Sequence, residues 1–262
     1  MSSTLLIFYR FLQRDFYTAR NSLLGIAFNW AVLVPTMYVF ITGYLQPRVF
    51  LGAHHGQIDM VMFIGSILQS MQLLSYKASV PLLFDLLGER YIEYQTTLLK
   101  PQLVIIERIF FSTIFTFIML IGFYPMAKLL LGSTFNTTAT SWSSVMLMLL
   151  VSSLAMSAYN VWICCTLYSA QSLRKLWVRC NVPLLLLGGF WVPWHLIMKS
   201  HPWLAYASLA NPLMYISEGF RRAFLNTPDF FAVSTCVAML LLLSVVFTLL
   251  ALRSFKKRVD HI

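Results

Sequence analysis

The chain has 262 residues, 59% of them hydrophobic and only 11% charged, with a formal net charge of +10. A soluble domain carries about 25% charged residues, so this composition excludes an ordinary soluble protein and indicates an integral membrane protein. No basic stripe lies on a soluble element, which argues against nucleic acid as a partner, and the four cysteines form no CxxC pair.

At the N-terminus, residues 5–24 (LLIFYRFLQRDFYTARNSLL) predict an amphipathic helix. At helical periodicity Leu5, Phe8, Tyr9, Leu12, Phe16 and Ala19 share one face, while Arg10 and Arg14 point away. That pattern lies flat in the headgroup layer of a bilayer. The first apolar span comes after three arginines, so no removable signal peptide is expected.

Six apolar segments follow, and each is predicted to cross a hydrocarbon core about 30 Å thick. They cover roughly residues 24–45, 59–83, 103–124, 144–168, 179–193 and 230–252. The fifth, VRCNVPLLLLGGFWVP, offers only about 15 residues, short for a full crossing. An aromatic stretch with prolines at 193, 202 and 212 follows it. This predicts a broken fifth helix and a hairpin of short helices re-entering the outer interface. Backbone of that kind is tolerated at membrane depth only where protein or water satisfies it. The fold class is therefore an all-α integral membrane domain over residues 1–262, with an interface helix at 5–24, six transmembrane helices, and an external re-entrant hairpin.

Orientation follows from the Lys and Arg count around the spans. One side holds Arg10, Arg14, Arg20, Lys77, Arg90, Lys100, Arg108, Arg174, Lys175, Arg179, Arg253, Lys256, Lys257 and Arg258, which is 14 of the 19. The other holds Arg48, Lys128, Lys199, Arg221 and Arg222. Both termini and the segments 84–102 and 169–179 are thus predicted to be cytoplasmic.

The most polar segment, FDLLGERYIEYQTTLLKP, predicts a cytoplasmic interfacial helix over 85–100 that docks a soluble partner. Its candidate contact residues are Gly88, Glu89, Arg90, Glu93 and Thr97, with Glu89 and Glu93 four apart on one face. No GxxxxGK[ST] stretch occurs, so the chain itself is not expected to cradle nucleotide phosphates. His54 and His55 lie near Asp59 but lack further ligands, and no metal site is expected. Asn136-Thr137-Thr138 matches a glycosylation sequon on the outer side.

Inside the spans, Gln69, Ser70, Gln72 and Ser75, and later Ser152, Ser153, Ser157 and Asn160, either line a pathway or hold helices together. Gln69, Gln72, Ser157 and Asn160 are candidates for a substrate path, together with Phe190, Trp191 and Trp194. These aromatics, with Trp203, Tyr206 and Tyr215, form either an interfacial belt or a stacking surface for sugar rings or lipid tails. Behind Asn211-Pro212 come Glu218, Arg221 and Arg222, three charges within five residues of an apolar chain. Glu218 and Arg222 stand at the favourable i,i+4 spacing, and Arg221 is the alternative partner.

Three stretches resemble one family. RDFYTARNSLLGIAFNWAVLVP resembles the interface helix and first span of O-antigen and capsule export permeases. The polar helix ending at Pro101 is similar to their coupling helix. LLLLGGFWVP, followed by LANPLMYISEGFRRAFL, resembles their hydrophobic run, hairpin and closing Asn-Pro-x-x-Tyr signature. Nearly the whole chain resembles the membrane subunit of a type-2 ABC exporter, in order and in spacing. That resemblance implies a homodimer, two separate ABC ATPase subunits that use ATP and Mg, no cofactor on this chain, and a bacterial inner (cytoplasmic) membrane location. It also implies a substrate path between the two copies, and an external gate at Asn211, Pro212, Tyr215, Glu218, Arg221 and Arg222, where the charges cap the start of the last span. The cargo expected is an amphipathic glycolipid or polysaccharide, or a hydrophobic drug or lipid. The competing classes are a stand-alone carrier and a membrane-embedded enzyme. A carrier commonly breaks helices in both halves, and an enzyme needs paired carboxylates or histidines facing one cavity.

Overall fold

A computed structural model describes residues 3–33, 36, 37, 40, 55–88, 90–131 and 138–259. Among these, every regular element is a helix. Helix α1 (Ser3–Ala27) runs without a break into a π-turn at Phe28–Leu33. It is followed by α2 (His55–Gly88), α3 (Arg90–Leu98), α4 (Pro101–Ile121) and α5 (Phe123–Leu131). The second half comprises α6 (Trp142–Thr166), α7 (Ala170–Leu176) with a π-turn at Trp177–Asn181, and α8 (Val182–Leu187). Short helices α9 (Trp194–Ser200) and α10 (Pro202–Ser208) precede α11 (Pro212–Leu225) and α12 (Val233–Val259).

Three described helical stretches are long and apolar enough to cross a membrane: Pro101–Pro125, Trp142–Thr166 and Val233–Val259. They coincide with the third, fourth and sixth predicted spans. The second predicted span falls within α2, whose 34 residues reach about 51 Å at 1.5 Å per residue. The first is described only at residues 24–33, 36, 37 and 40.

Burial assigns the helices their places. In α6, 78% of the apolar window is buried, against 22% in α12. Helix α6 is therefore the central post, packed by α2, α4 and α12. Helix α12 presents Leu242, Val245 and Leu249 outward, as a lipid-facing span would. Two apolar clusters stack along the bundle. One joins Phe63, Leu68, Met148, Ile216 and Phe220; the other joins Leu83, Leu86, Ile92, Ile105, Cys165 and Phe255.

Local chemistry sets the helix ends. Pro101 occupies the first turn of α4, where its missing N–H costs nothing and its fixed φ suits the helix. The Asn211 side chain accepts the Leu213 N–H at 3.0 Å and starts α11, and Asn226 closes it in the left-handed conformation. The fifth segment is longer than its apolar run implies, because the helix already begins at Ala170. Pro183 removes a donor and crowds the preceding turn. The chain widens there, and Val182 N–H bonds five residues back to Trp177 O. The helix then ends at Gly188.

The predicted apolar face of α1 needs one correction. Phe11 and Asp15 are its most buried residues, whereas Leu5 and Tyr9 are more than half exposed. Arg14 does not point away: it pairs with Asp15 and lies 4.1 Å from the Tyr91 ring centroid. A partly polar neighbour, not lipid alone, decides which side of α1 faces in.

Candidate functional site

At one end of the bundle, the predicted polar helix divides in two. Asp85 and Gly88 belong to the end of α2, and the separate helix is α3. Ile92, Gln95 and Leu99 are buried beneath it, and Tyr94 stands edge-on to Phe11 of α1 at 6.4 Å. The opposite face exposes Glu93 and Thr97, and Gly88 is exposed at the preceding helix end. Glu89 lies outside the described residues, as does the side chain of Arg90. The result is a short amphipathic bar, held between α2 and α4 and backed by α1.

Beneath this bar lies an ion network. Arg108, on α4 and 4% exposed, donates to Asp15 Oδ2 of α1 at 2.6 Å and to Asp85 Oδ2 of α2 at 2.5 Å. Arg14 joins Asp15, and Glu107 lies 3.6 Å from Arg108 Nε. Burial raises the Asp85 carboxyl above its ordinary value, against the opposing pull of Arg108 and Arg14. Each charge buried here needs a partner, so one arginine locks three helices together. The sequence reading did not single out this junction. The available signal was the pair Glu107-Arg108 inside an apolar span, where an ionisable residue requires partners.

Midway along the bundle, α2, α4 and α6 share a polar seam. Asn160 Nδ2 donates to Ser75 Oγ at 2.8 Å, and Ser79 and Ser112 lie 3.4 Å apart. Gln72, Ser157 and Asn160 are buried within the chain, and Gln69 is half-buried. Both amide atoms of Gln72 lack a described partner.

The far end holds the second constellation. Glu218 and Arg221 of α11 are both fully buried and meet at 3.1 Å. Glu218 Oε1 also accepts the backbone N–H of Trp194 at 2.9 Å, and Arg221 Nη2 donates to Gly189 O. Asn211 Nδ2 donates to Leu184 O at 2.5 Å. Helix α11 and its N-cap Asn211 thus hold α8, the loop after it and the start of α9 at one point each. Gly189 has φ +77°, and an added Cβ there would lie 2.5 Å from Ser217 Oγ, so both its conformation and its lack of a side chain are required.

One open choice is decided here and one expectation is corrected. Of the two candidate partners of Glu218, Arg221 makes the pair, and Arg222 Nη1 has no partner among the described residues. The pair does not cap the start of the last span, which begins at Val233; it holds the Gly189–Trp194 loop. The aromatics divide as well. Phe190 and Tyr215 are buried and the Trp194 indole donates to Ala205 O at 2.9 Å, whereas Trp191, Trp203 and Tyr206 are exposed.

Among the described residues no group of His, Cys, Asp and Glu could hold a metal ion. His54 and the sequon residues Asn136 and Thr137 lie outside the described residues. No curated protein and no solved structure matches the chain. A family model described as "ABC-2 type transporter" matches residues 7–225, a stretch that runs from α1, through the ion network and the bar, to the last residue of α11. The chain therefore belongs to the ABC-2 type transporter membrane family and is an ABC-type permease.

Proposed function

We propose that two copies of this chain form the membrane part of an ATP-driven exporter, with an ATPase subunit docked on each α3 from the cytoplasm. The observation that carries the reading is the build of α3. Its buried face is wedged against α1, α2 and α4, its outer face offers Glu93 and Thr97, and Pro101 starts α4 directly behind it. A force on such a bar passes into two spans without slack. Gly88, Glu89 and Arg90 extend the proposed docking surface.

In this reading the substrate passes between the two copies in the cytoplasmic (inner) membrane of a bacterium, with both termini cytoplasmic. Of the candidate path residues, Gln69, Trp191 and Trp194 border its route, whereas Gln72, Ser157, Asn160 and Phe190 are buried within the chain and hold its helices together. Asn211, Pro212, Tyr215, Glu218, Arg221 and Arg222 form or support the external gate. The grip of α11 on the 188–193 loop supports this role, since it ties a broken helix to the bundle as one unit. The substrate is an amphipathic glycolipid or polysaccharide, or a hydrophobic drug or lipid, and ATP and Mg are handled by the partner subunits.

The test is co-purification in detergent with the cognate ATPase. Charge reversal at Glu89 and Glu93 together places the wrong sign against the receiving cleft. It is expected to abolish ATPase capture and transport while the permease still reaches the membrane. Undiminished capture would move the docking surface elsewhere, first to the basic segment 174–179.

A further inference from the structure

Buried hydroxyls in this bundle mostly follow one habit. Ser66, Ser75 and Ser79 of α2, Thr113 of α4 and Ser244 of α12 each donate to a carbonyl three or four residues back in their own helix, an ordinary way for such a group to be satisfied among apolar side chains. Thr116 of α4 and Ser157 of α6 are fully buried, and their hydroxyls bond to nothing among the described residues. The same holds for Oδ1 of Asn160 and for both amide atoms of Gln72, residues only 1% and 2% exposed.

Helix register gathers these groups at one level. Phe63, in the first third of α2, and Trp142, the first residue of α6, both stand edge-on to the Phe224 ring. Further along both helices Asn160 reaches Ser75, so α2 and α6 run in the same direction. That bond sets an offset of 85 positions, which brings Ser157 level with Gln72. Each stands three residues before a member of the Asn160–Ser75 pair and shares its helix face. Helix α4 runs the opposite way, with Arg108 against Asp85 and Ser112 against Ser75. Thr116, one turn past Ser112 on the same face, falls at the level of Gln72.

The chemistry of these groups selects the ligand. Gln72 Nε2 and the hydroxyl hydrogens need an acceptor, whereas Gln72 Oε1 and Asn160 Oδ1 need a donor. A cation would leave the donors unserved, an anion would leave the acceptors, and none of the four residues carries a charge to balance either. Water serves both, and buried water typically makes about three hydrogen bonds to polar groups of this kind. We propose that ordered water binds at this level of the bundle, bridging Gln72 of α2, Thr116 of α4, and Ser157 and Asn160 of α6. The bridges add to the direct Asn160–Ser75 and Ser79–Ser112 links and complete the polar contact of the central post with both neighbours. The site needs neither the partner ATPase nor a cargo.

X-ray radiolysis footprinting of the full chain in nanodiscs tests this, because radicals formed from bound water oxidise the side chains beside it even where bulk solvent is excluded. Met71 and Met156 are buried and flank the site, their carbonyls accepting from Ser75 and Asn160. Both should be oxidised, while Cys165, equally buried in the apolar cluster nearer the bar, should not. The triple variant Gln72→Leu/Thr116→Val/Ser157→Ala replaces the ligating groups by apolar ones of similar or smaller size and should lose the label at both methionines. Gln72→Leu alone should lower the melting temperature, since it strands the groups that the water joins. Unlabelled methionines in the wild type would overturn the proposal, as would a label that survives in the triple variant. A melting temperature raised by Gln72→Leu would overturn it too, since that marks an amide buried with no partner at all.

Discussion

Replacing Glu218 by alanine removes one member of a pair in which neither side chain touches solvent. Arg221 is then left with one protein acceptor, Gly189 O, and the Trp194 N–H loses its acceptor. Breaking a buried ion pair from one side costs about 3–5 kcal/mol, and stranding a buried N–H adds about 1–3 kcal/mol. Glu218→Ala should therefore lower stability by several kcal/mol and reduce transport, while insertion into the membrane, set by the apolar spans, persists. Arg221→Ala should be comparably harmful. In the double variant the second loss is largely already incurred, so a coupling of about 1–3 kcal/mol is expected. The same cycle run with Arg222→Ala should be additive, because Arg222 does not contact Glu218. The assay is thermal unfolding in detergent of the four Glu218/Arg221 combinations and the four Glu218/Arg222 combinations. Additivity within about 0.5 kcal/mol for the Arg221 cycle would refute the reasoning from the buried pair.

Two of the close-packed glycines, Gly189 and Gly219, should respond differently. Gly189→Ala forces a left-handed conformation costing about 1–2 kcal/mol and drives a Cβ into Ser217. Gly219→Ala meets chiefly the flexible tip of Met148, with Cys236 Cβ next at 3.1 Å, and its gain in helix propensity of about 1 kcal/mol offsets much of the overlap; equal melting points for the two variants would count against this. Arg108→Met strands Asp85, leaves Asp15 with Arg14 alone, and should destabilise the protein by about 3–5 kcal/mol, with partial recovery on adding Asp85→Asn, and a melt within about 1 kcal/mol of wild type for the single variant would contradict it. Topology can be read by cysteine labelling after Cys180, the exposed native thiol, is replaced by serine. Probes at 54 or 136 should react from outside and probes at 93 or 257 should not, and strong external labelling at 93 would overturn the orientation.

Hydropathy and charge along the chain were enough to place the long apolar helices, the break after the fifth, and the polar segment before Pro101. Transfer from water to lipid is nearly additive over neighbouring residues, so a linear pattern carries it. The start of α11 was equally readable, since Asn211-Pro212 acts within one turn. Partner choice was not. Glu218 has an arginine at both i+3 and i+4, and local spacing favours Arg222 as readily as Arg221. The decision came from Gly189 O and Trp194 N–H, which the folded chain brings to α11 from 32 and 24 residues away. Arg108 likewise meets Asp15 across 93 positions and Asp85 across 23. A buried charge is stabilised only by what surrounds it in space, and that surrounding exists only once the helices have packed.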